Sequence, residues 1–234
     1  MTCEVCGAPI VFVWAVDQFE EYLCARCARG SRCLSCGGIV GGTGSREACR
    51  TQDGGTQCRR CFSTRVDTAE DLVTVVPSVR KVLHGYGVSL PNRVSVQLVA
   101  PDVLSHRGVG VQGFCSLVGS GDSAVVGSIK IVRGLPATRF GAVLAHEMAH
   151  GWLALIGADL SGRLEEGLCE LVASWWLRRR RSPLADHLLV CMASNTDPVY
   201  GDGYRMAVQR TAGMTPSAVV QRMTAEGAQF IEPE

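Results

Sequence analysis

Ala145-His146-Glu147-Met148-Ala149-His150-Gly151-Trp152 sets two histidines four residues apart inside an apolar run of helical period. Four residues advance a helix by about one turn, so both imidazoles leave the same face, and two neutral imidazoles there suit Zn²⁺. A catalytic zinc keeps one of its four positions for water, so a third protein ligand must come from elsewhere. Glu147 stands beside the pair, where a carboxylate can take the proton of a water that attacks a metal-polarised carbonyl. The spacing therefore predicts zinc-dependent peptide hydrolysis. A chance match on a buried helix would strand two imidazoles and a carboxylate among Val143, Leu144, Met148, Trp152 and Leu153, a cost that a metal removes. Fifteen residues after His150 begins Glu165-Glu166-Gly167-Leu168-Cys169-Glu170, opening a second apolar helix through Trp175 and Trp176 that offers the missing carboxylate.

The 234 residues divide by composition. Nine of the twelve cysteines precede residue 62, eight of them as four Cys-x-x-Cys pairs, while the rest of the chain is richer in Val, Leu and Ala and holds Cys115, Cys169 and Cys191. This predicts a small module over residues 1–64 and a larger domain over 65–234. The larger part, about 170 residues, can bury roughly 70% of its unfolded surface without staples. The first part is Gly-rich and short of aliphatic residues, so cross-links must hold it. No basic region followed by an apolar run precedes Cys3. Metal rather than disulfide in a reducing cytoplasm is therefore expected, and no apolar stretch reaches the length of a membrane span. A formal net charge of +1 argues against a general nucleic-acid grip, and the basic run Arg178 to Arg181 fits a solvated helix C-terminus.

Cys3, Cys6, Cys24 and Cys27 form the first two pairs, with seventeen residues between them, and Cys33, Cys36, Cys58 and Cys61 the next two, with twenty-one between. Each half reads as one structural zinc site, with Cys49 left over as a possible substitute in the second. Strand character from Ile10 to Val16 suggests a hairpin around the first metal. Sequential sites of this kind resemble a LIM domain, a module that mostly binds proteins. The link between the second and third pairs is five residues, Ala28 to Arg32, where LIM domains usually have two.

Thr68 before Glu70 and Asp71 predicts a helix start, with helix to about Gly85 that Pro77 should kink or restart. Alternation around Val94 to Leu98, within Gly108 to Val118 and from Ser123 to Val132 predicts three strands. In metallopeptidases the strand before the metal helix commonly takes the substrate main chain by strand addition, which makes Ser128 to Arg133 the expected edge. Helices are expected at about 136–156, 163–180, 183–194, 203–212 and 216–227. Strands first and helices after give an α+β class.

With these residues placed, the chain resembles the LIM-containing zinc peptidases that restrict organ growth in plants and are activated by ubiquitination. The resemblance rests on Gly134-Leu135-Pro136, Leu144 to His150, Leu164-Glu165-Glu166-Gly167-Leu168-Cys169 and Tyr200-Gly201-Asp202-Gly203-Tyr204-Arg205. It implies a zincin-like, gluzincin fold, with His146, His150 and a downstream Glu on one catalytic zinc, Glu147 as base, and cleavage of selected proteins. Two further, structural zinc ions would sit in the cysteine module. The plant members carry ubiquitin-interacting helices ahead of their LIM module and none is read ahead of Cys3, so a ubiquitin-like partner is an expectation of the resemblance alone.

A helical wheel puts Glu165 in the apolar arc of Leu168, Val172 and Trp176, and burial alone favours it as ligand. The gluzincin pattern, a ligand Glu followed four residues later by an acidic acceptor for the ring N–H of a zinc-bound His, favours Glu166 with Glu170. The reading adopted is Glu166 on zinc and Glu170 as that acceptor, with Glu165 a buried or salt-bridged neighbour, an Arg being one partner for it. Peptidases of this class often add a Tyr or His opposite the base, and Tyr200, flanked by glycines, is preferred over Tyr204. The alternative to an endopeptidase is a LIM-like adaptor whose zincin fold binds protein partners without turnover.

Overall fold

Two cysteine knuckles with one backbone plan open the chain. In the computed structural model, which describes all residues except 12–14, 18, 43, 52–53, 109, 119–124 and 232–234, the N–H of Gly7 donates to the Cys3 carbonyl at 2.8 Å and that of Gly37 to the Cys33 carbonyl at 2.9 Å. Both glycines hold a positive φ, 69° and 70°, which a residue without Cβ adopts without steric cost. Short hairpins complete each half: β1 (Ala15–Val16) with β2 (Tyr22–Leu23), and β3 (Ala48–Arg50) with β4 (Thr56–Cys58), followed by α1 (Arg59–Phe62). The strand expected over Ile10 to Val16 is described only at its ends. Arg46, 4% exposed, joins the halves, paired with Asp17 at 2.5 Å and with Glu21, and donating to the Ile39 carbonyl at 3.0 Å.

β5 (Arg65–Val66) pairs with β9 (Leu135–Pro136), immediately ahead of α4 (Ala137–Leu155). The cysteine module is thereby tied to α4, and Gln57 Nε2 adds a bond to the Gly134 carbonyl at 2.8 Å. α2 (Ala69–His84) starts at a reciprocal Thr68–Asp71 capping box, two orphan amides being satisfied at once. It continues through Pro77 without breaking. Pro77 is on the exposed side, where the carbonyl it leaves without a donor can bond to water.

The three expected strands are β6 (Ser95–Val99), β7 (Gly113–Val118) and β8 (Val125–Val132), with the short α3 (Pro101–Ser105) after β6. Positions 109 and 123–124 of the expected ranges lie outside the described residues. Strand order is β6-β8-β7, with β8 parallel to β6 and antiparallel to β7. Ser128 to Arg133 is therefore not the edge; β8 is central, and β7 is the edge beside the metal helix. The long crossover from β6 through β7 inserts β8 between them, a non-local pairing that alternation within one strand does not encode.

α4, α5 (Gly162–Arg180), α6 (Pro183–Ser194), α7 (Tyr200–Arg210) and α8 (Pro216–Glu226) follow. Ser182 and Thr215 cap α6 and α8 ahead of Pro183 and Pro216 at the first helical positions, where proline's missing N–H costs nothing. The core joins Phe140, Leu144, Met148 and Trp152 of α4 to Leu168, Val172 and Trp176 of α5 and to Ile129 and Ile131 of β8. The whole is a mixed α+β chain with two four-cysteine clusters, LIM-like in plan. Among the described residues no helix is long and apolar enough to cross a membrane.

Candidate metal centre

Helices α4 and α5 cross with His146 and His150 facing the first turns of α5. The two Nε2 atoms lie 3.1 Å apart, and Glu166 Oε2 is 3.1 Å from that of His146 and 3.5 Å from that of His150. Donor atoms on a tetrahedral zinc, bonded at about 2.0–2.1 Å, are separated by about 3.3 Å. The triangle thus has the size of one face of such a site. Glu166 Oε2 is also buried without a hydrogen-bond partner among the described residues, a costly state for a carboxylate oxygen that a cation at the triangle would relieve. These residues fit zinc.

The outer ring nitrogens are held by carboxylates. His146 Nδ1 is 3.1 Å from Glu170 Oε1, as expected, and His150 Nδ1 is 2.8 Å from Glu165 Oε1. Glu165 therefore faces a histidine and not an Arg. Each imidazole is oriented with Nε2 toward the triangle, an arrangement that fixes tautomer and ring plane in metal sites. Burial alone would lower His146, but Glu166 and Glu170 outweigh it and raise it well above 6.5. His150 is likewise raised against burial, through Cys169, Glu165 and Glu166. Burial raises Glu166, yet the two imidazoles prevail and lower it to about 2. The pocket is built to hold positive charge.

Cys169, which the sequence did not single out, also brings its sulfur within 4.8 Å of a nitrogen of both histidines. Its thiol is fully buried and pushed upward by that burial, so it is a neutral neighbour of His150, whereas the two imidazoles hold Glu166 ionised. Glu147 is 7% exposed. Burial raises its pKa, partly offset by the two imidazoles and by the backbone N–H of Cys115 on β7. A Cβ at Gly113 would lie 2.5 Å from Glu147 Oε1, so glycine at the start of β7 is what lets the edge strand approach this carboxylate.

Tyr200 opens α7 with its ring centroid 6.3 Å from that of His146, while Tyr204 is a core residue, 5% exposed. The close approach suggested by the glycines is present: a Cβ at Gly203 would meet the Arg163 carbonyl at 2.2 Å, and one at Gly167 the Gly203 carbonyl at 2.2 Å. α7 is thereby pressed onto α5 and Tyr200 held over the triangle. An open cleft of about 610 Å³ runs from His146, Glu147 and Tyr200 to Arg139 and Leu188.

The same span of chain decides the likeness. Residues 118–187 match the DA1-like family model, described as Protein DA1. The match carries β8, both histidines and the three glutamates of α5. The chain is 26% identical to Protein DA1-related 2 of Arabidopsis thaliana over 163 residues, 54% of this chain and 31% of that protein. It is 32% identical to Protein DA1 of the same plant over 109 residues, 34% of this chain and 20% of that one. With LIM domain-containing protein HDR3 of Oryza sativa subsp. japonica the identity is 29% over 119 residues, 35% of this chain and 24% of that one. The chain thus spans a third or less of the length of these relatives. No solved structure matches it.

The cysteines gather as expected, Cys3, Cys6, Cys24 and Cys27 in one cluster and Cys33, Cys36, Cys58 and Cys61 in another, with all sulfurs of a cluster within 4.8 Å of one another. The second is wholly buried. Cys49 lies outside both, on β3, its sulfur 3.8 Å from the Glu47 carbonyl. Burial raises the Cys3 thiol, but backbone N–H groups of Cys24, Cys6 and Val5 outweigh it and lower it to about 6, as suits a thiolate ligand. Two structural zinc sites are what these clusters suggest.

Proposed function

We propose that this chain is a zinc-dependent peptidase acting on protein or peptide substrates, with the LIM-like module adjoining its cleft. The observation that carries this reading is the triangle of His146 Nε2, His150 Nε2 and Glu166 Oε2, with the buried carboxylate of Glu147 and an edge strand beside it. A zinc ion held by these three would supply a Lewis acid that polarises a carbonyl and acidifies water. Glu147, its pKa raised by burial, would accept the proton of the attacking water and pass it to the leaving amine. Among the described residues β7 has a sheet neighbour on one side alone, and an extended substrate would add to its other side as a strand. Tyr200 O–H would donate to the oxygen on which charge develops.

Stepwise chelation tests this. The His–Glu zinc, with one open position, should leave before the two thiolate-held ions, and peptide cleavage should vanish with it and return on adding zinc. Cleavage that survives removal of that zinc would sink the reading.

A further inference from the structure

Seven residues before His146 on α4, two helical turns and about 10 Å along its axis, Arg139 lines the far end of the cleft. Its Nε donates to Gln112 Oε1 at 2.9 Å and its Nη1 to the Ser35 carbonyl at 2.9 Å. Both acceptors are neutral. Among the described residues no carboxylate pairs with this guanidinium, and Nη2 has no hydrogen-bond partner. The groups that bear on it through space are the Cys191 thiol first and then Cys61, Cys33 and Cys36 of the second cysteine cluster. Leu177, Leu188 and Met192 line the same cleft beside polar Gln112 and Asn195, and burial depresses the Arg139 pKa, as for a cation short of compensation. Arg107, which also lines the cleft, stacks over Phe114 at 3.6 Å and likewise has no carboxylate pair among the described residues.

We propose that Arg139 is a specificity residue that binds a substrate carboxylate, so that the cleft selects peptides carrying one about three residues from the bond to be cut. The distance follows from about 3.3 Å per residue of extended chain. A guanidinium pre-oriented by two neutral acceptors presents its remaining N–H groups as a fork, the geometry that carboxylates match. Because Ser35 lies between Cys33 and Cys36, the LIM-like module supplies part of that orientation. The carboxylate can come from an acidic side chain or from the substrate's C-terminus. The inference rests on the peptidase reading for what occupies the cleft.

Binding separates it from that reading. Fluorescently labelled, alanine-rich octapeptides with Glu at each position in turn are compared with their Gln twins, and free C-termini with amidated ones, by anisotropy on zinc-loaded Glu147→Gln protein. One arm or the other should show about tenfold tighter binding of the charged peptide, and the arm that does so names the source. In the same protein carrying Arg139→Gln, whose amide nitrogen takes the place of Nε beside Gln112, the ratio should fall to within about twofold. A ratio near one with Arg139 present would overturn the proposal without any variant, as would a ratio that Arg139→Gln leaves intact. Charge-selective binding without Glu147-dependent cleavage would sink the peptidase and keep the site, and cleavage blind to charge would do the reverse.

Discussion

Glu165 Oε1 stands 2.8 Å from His150 Nδ1, and this contact aims the other nitrogen of the ring at Glu166. Glu170 does the same for His146. Two adjacent glutamates thus divide the work: one completes the triangle and the other orients a histidine that does. Glu165→Ala and Glu170→Ala should each weaken zinc at this site by roughly 10–100-fold while the eight cysteines keep their metal. Competition with a chelator of known affinity measures this, and an unchanged constant for Glu165→Ala would remove its orienting role.

Glu166 and Cys169 can be told apart by metal content. Glu166→Ala should lower the count from three zinc ions to two. Cys169→Ser should leave three, because the thiol is held neutral by burial. Two ions in Cys169→Ser and three in Glu166→Ala would exchange their roles.

Gly113→Ala tests the contact between edge strand and base. The added methyl would be 2.6 Å from Val143 Cγ1 as well as 2.5 Å from Glu147 Oε1, so strand and carboxylate must part. Turnover should fall, by up to about 100-fold, with zinc content and melting temperature near wild type. Wild-type kinetics would show that β7 need not lie so close.

Acid should empty the proposed zinc site at His146, His150 and Glu166. His146 and His150 are raised in the metal-free chain, so protons compete with zinc for Nε2 already near neutrality, and occupancy should fall as pH drops. Stability of the metal-free protein runs the other way. A histidine raised on folding contributes fully below its unfolded value of 6.5 and loses that contribution as pH rises through the folded value. Melting of chelated Glu166→Ala, which lacks one partner of both rings, should show a smaller loss over the same range.

Much of the site was legible because its spacing is helical. His146 with His150, and Glu166 with Glu170, are each one turn apart, and any pair of crossing helices would bring such faces together. Four features were not legible. β8 reads as an edge by its position before the metal helix, but parallel pairing with β6 places it in the middle. Glu165 falls on an apolar arc of the wheel, and only the crossing angle of α4 and α5 shows that His150 is what fills that arc. Gly113 and Arg139 carry no local signal, since their meaning lies in what approaches from β7 and from the cysteine module. α7 begins at Tyr200, three residues before the expected start, with Asp197 Oδ1 accepting from the Val199 and Tyr200 amides at 2.8 and 2.9 Å.

Cleavage of a proteome-derived peptide library by wild type and by Glu147→Gln, at equal zinc content, bears most directly on the proposed activity. New termini in the wild-type digest, absent with Glu147→Gln, are the predicted result. Identical profiles from the two proteins would contradict a peptidase and leave a zinc-bound adaptor in its place.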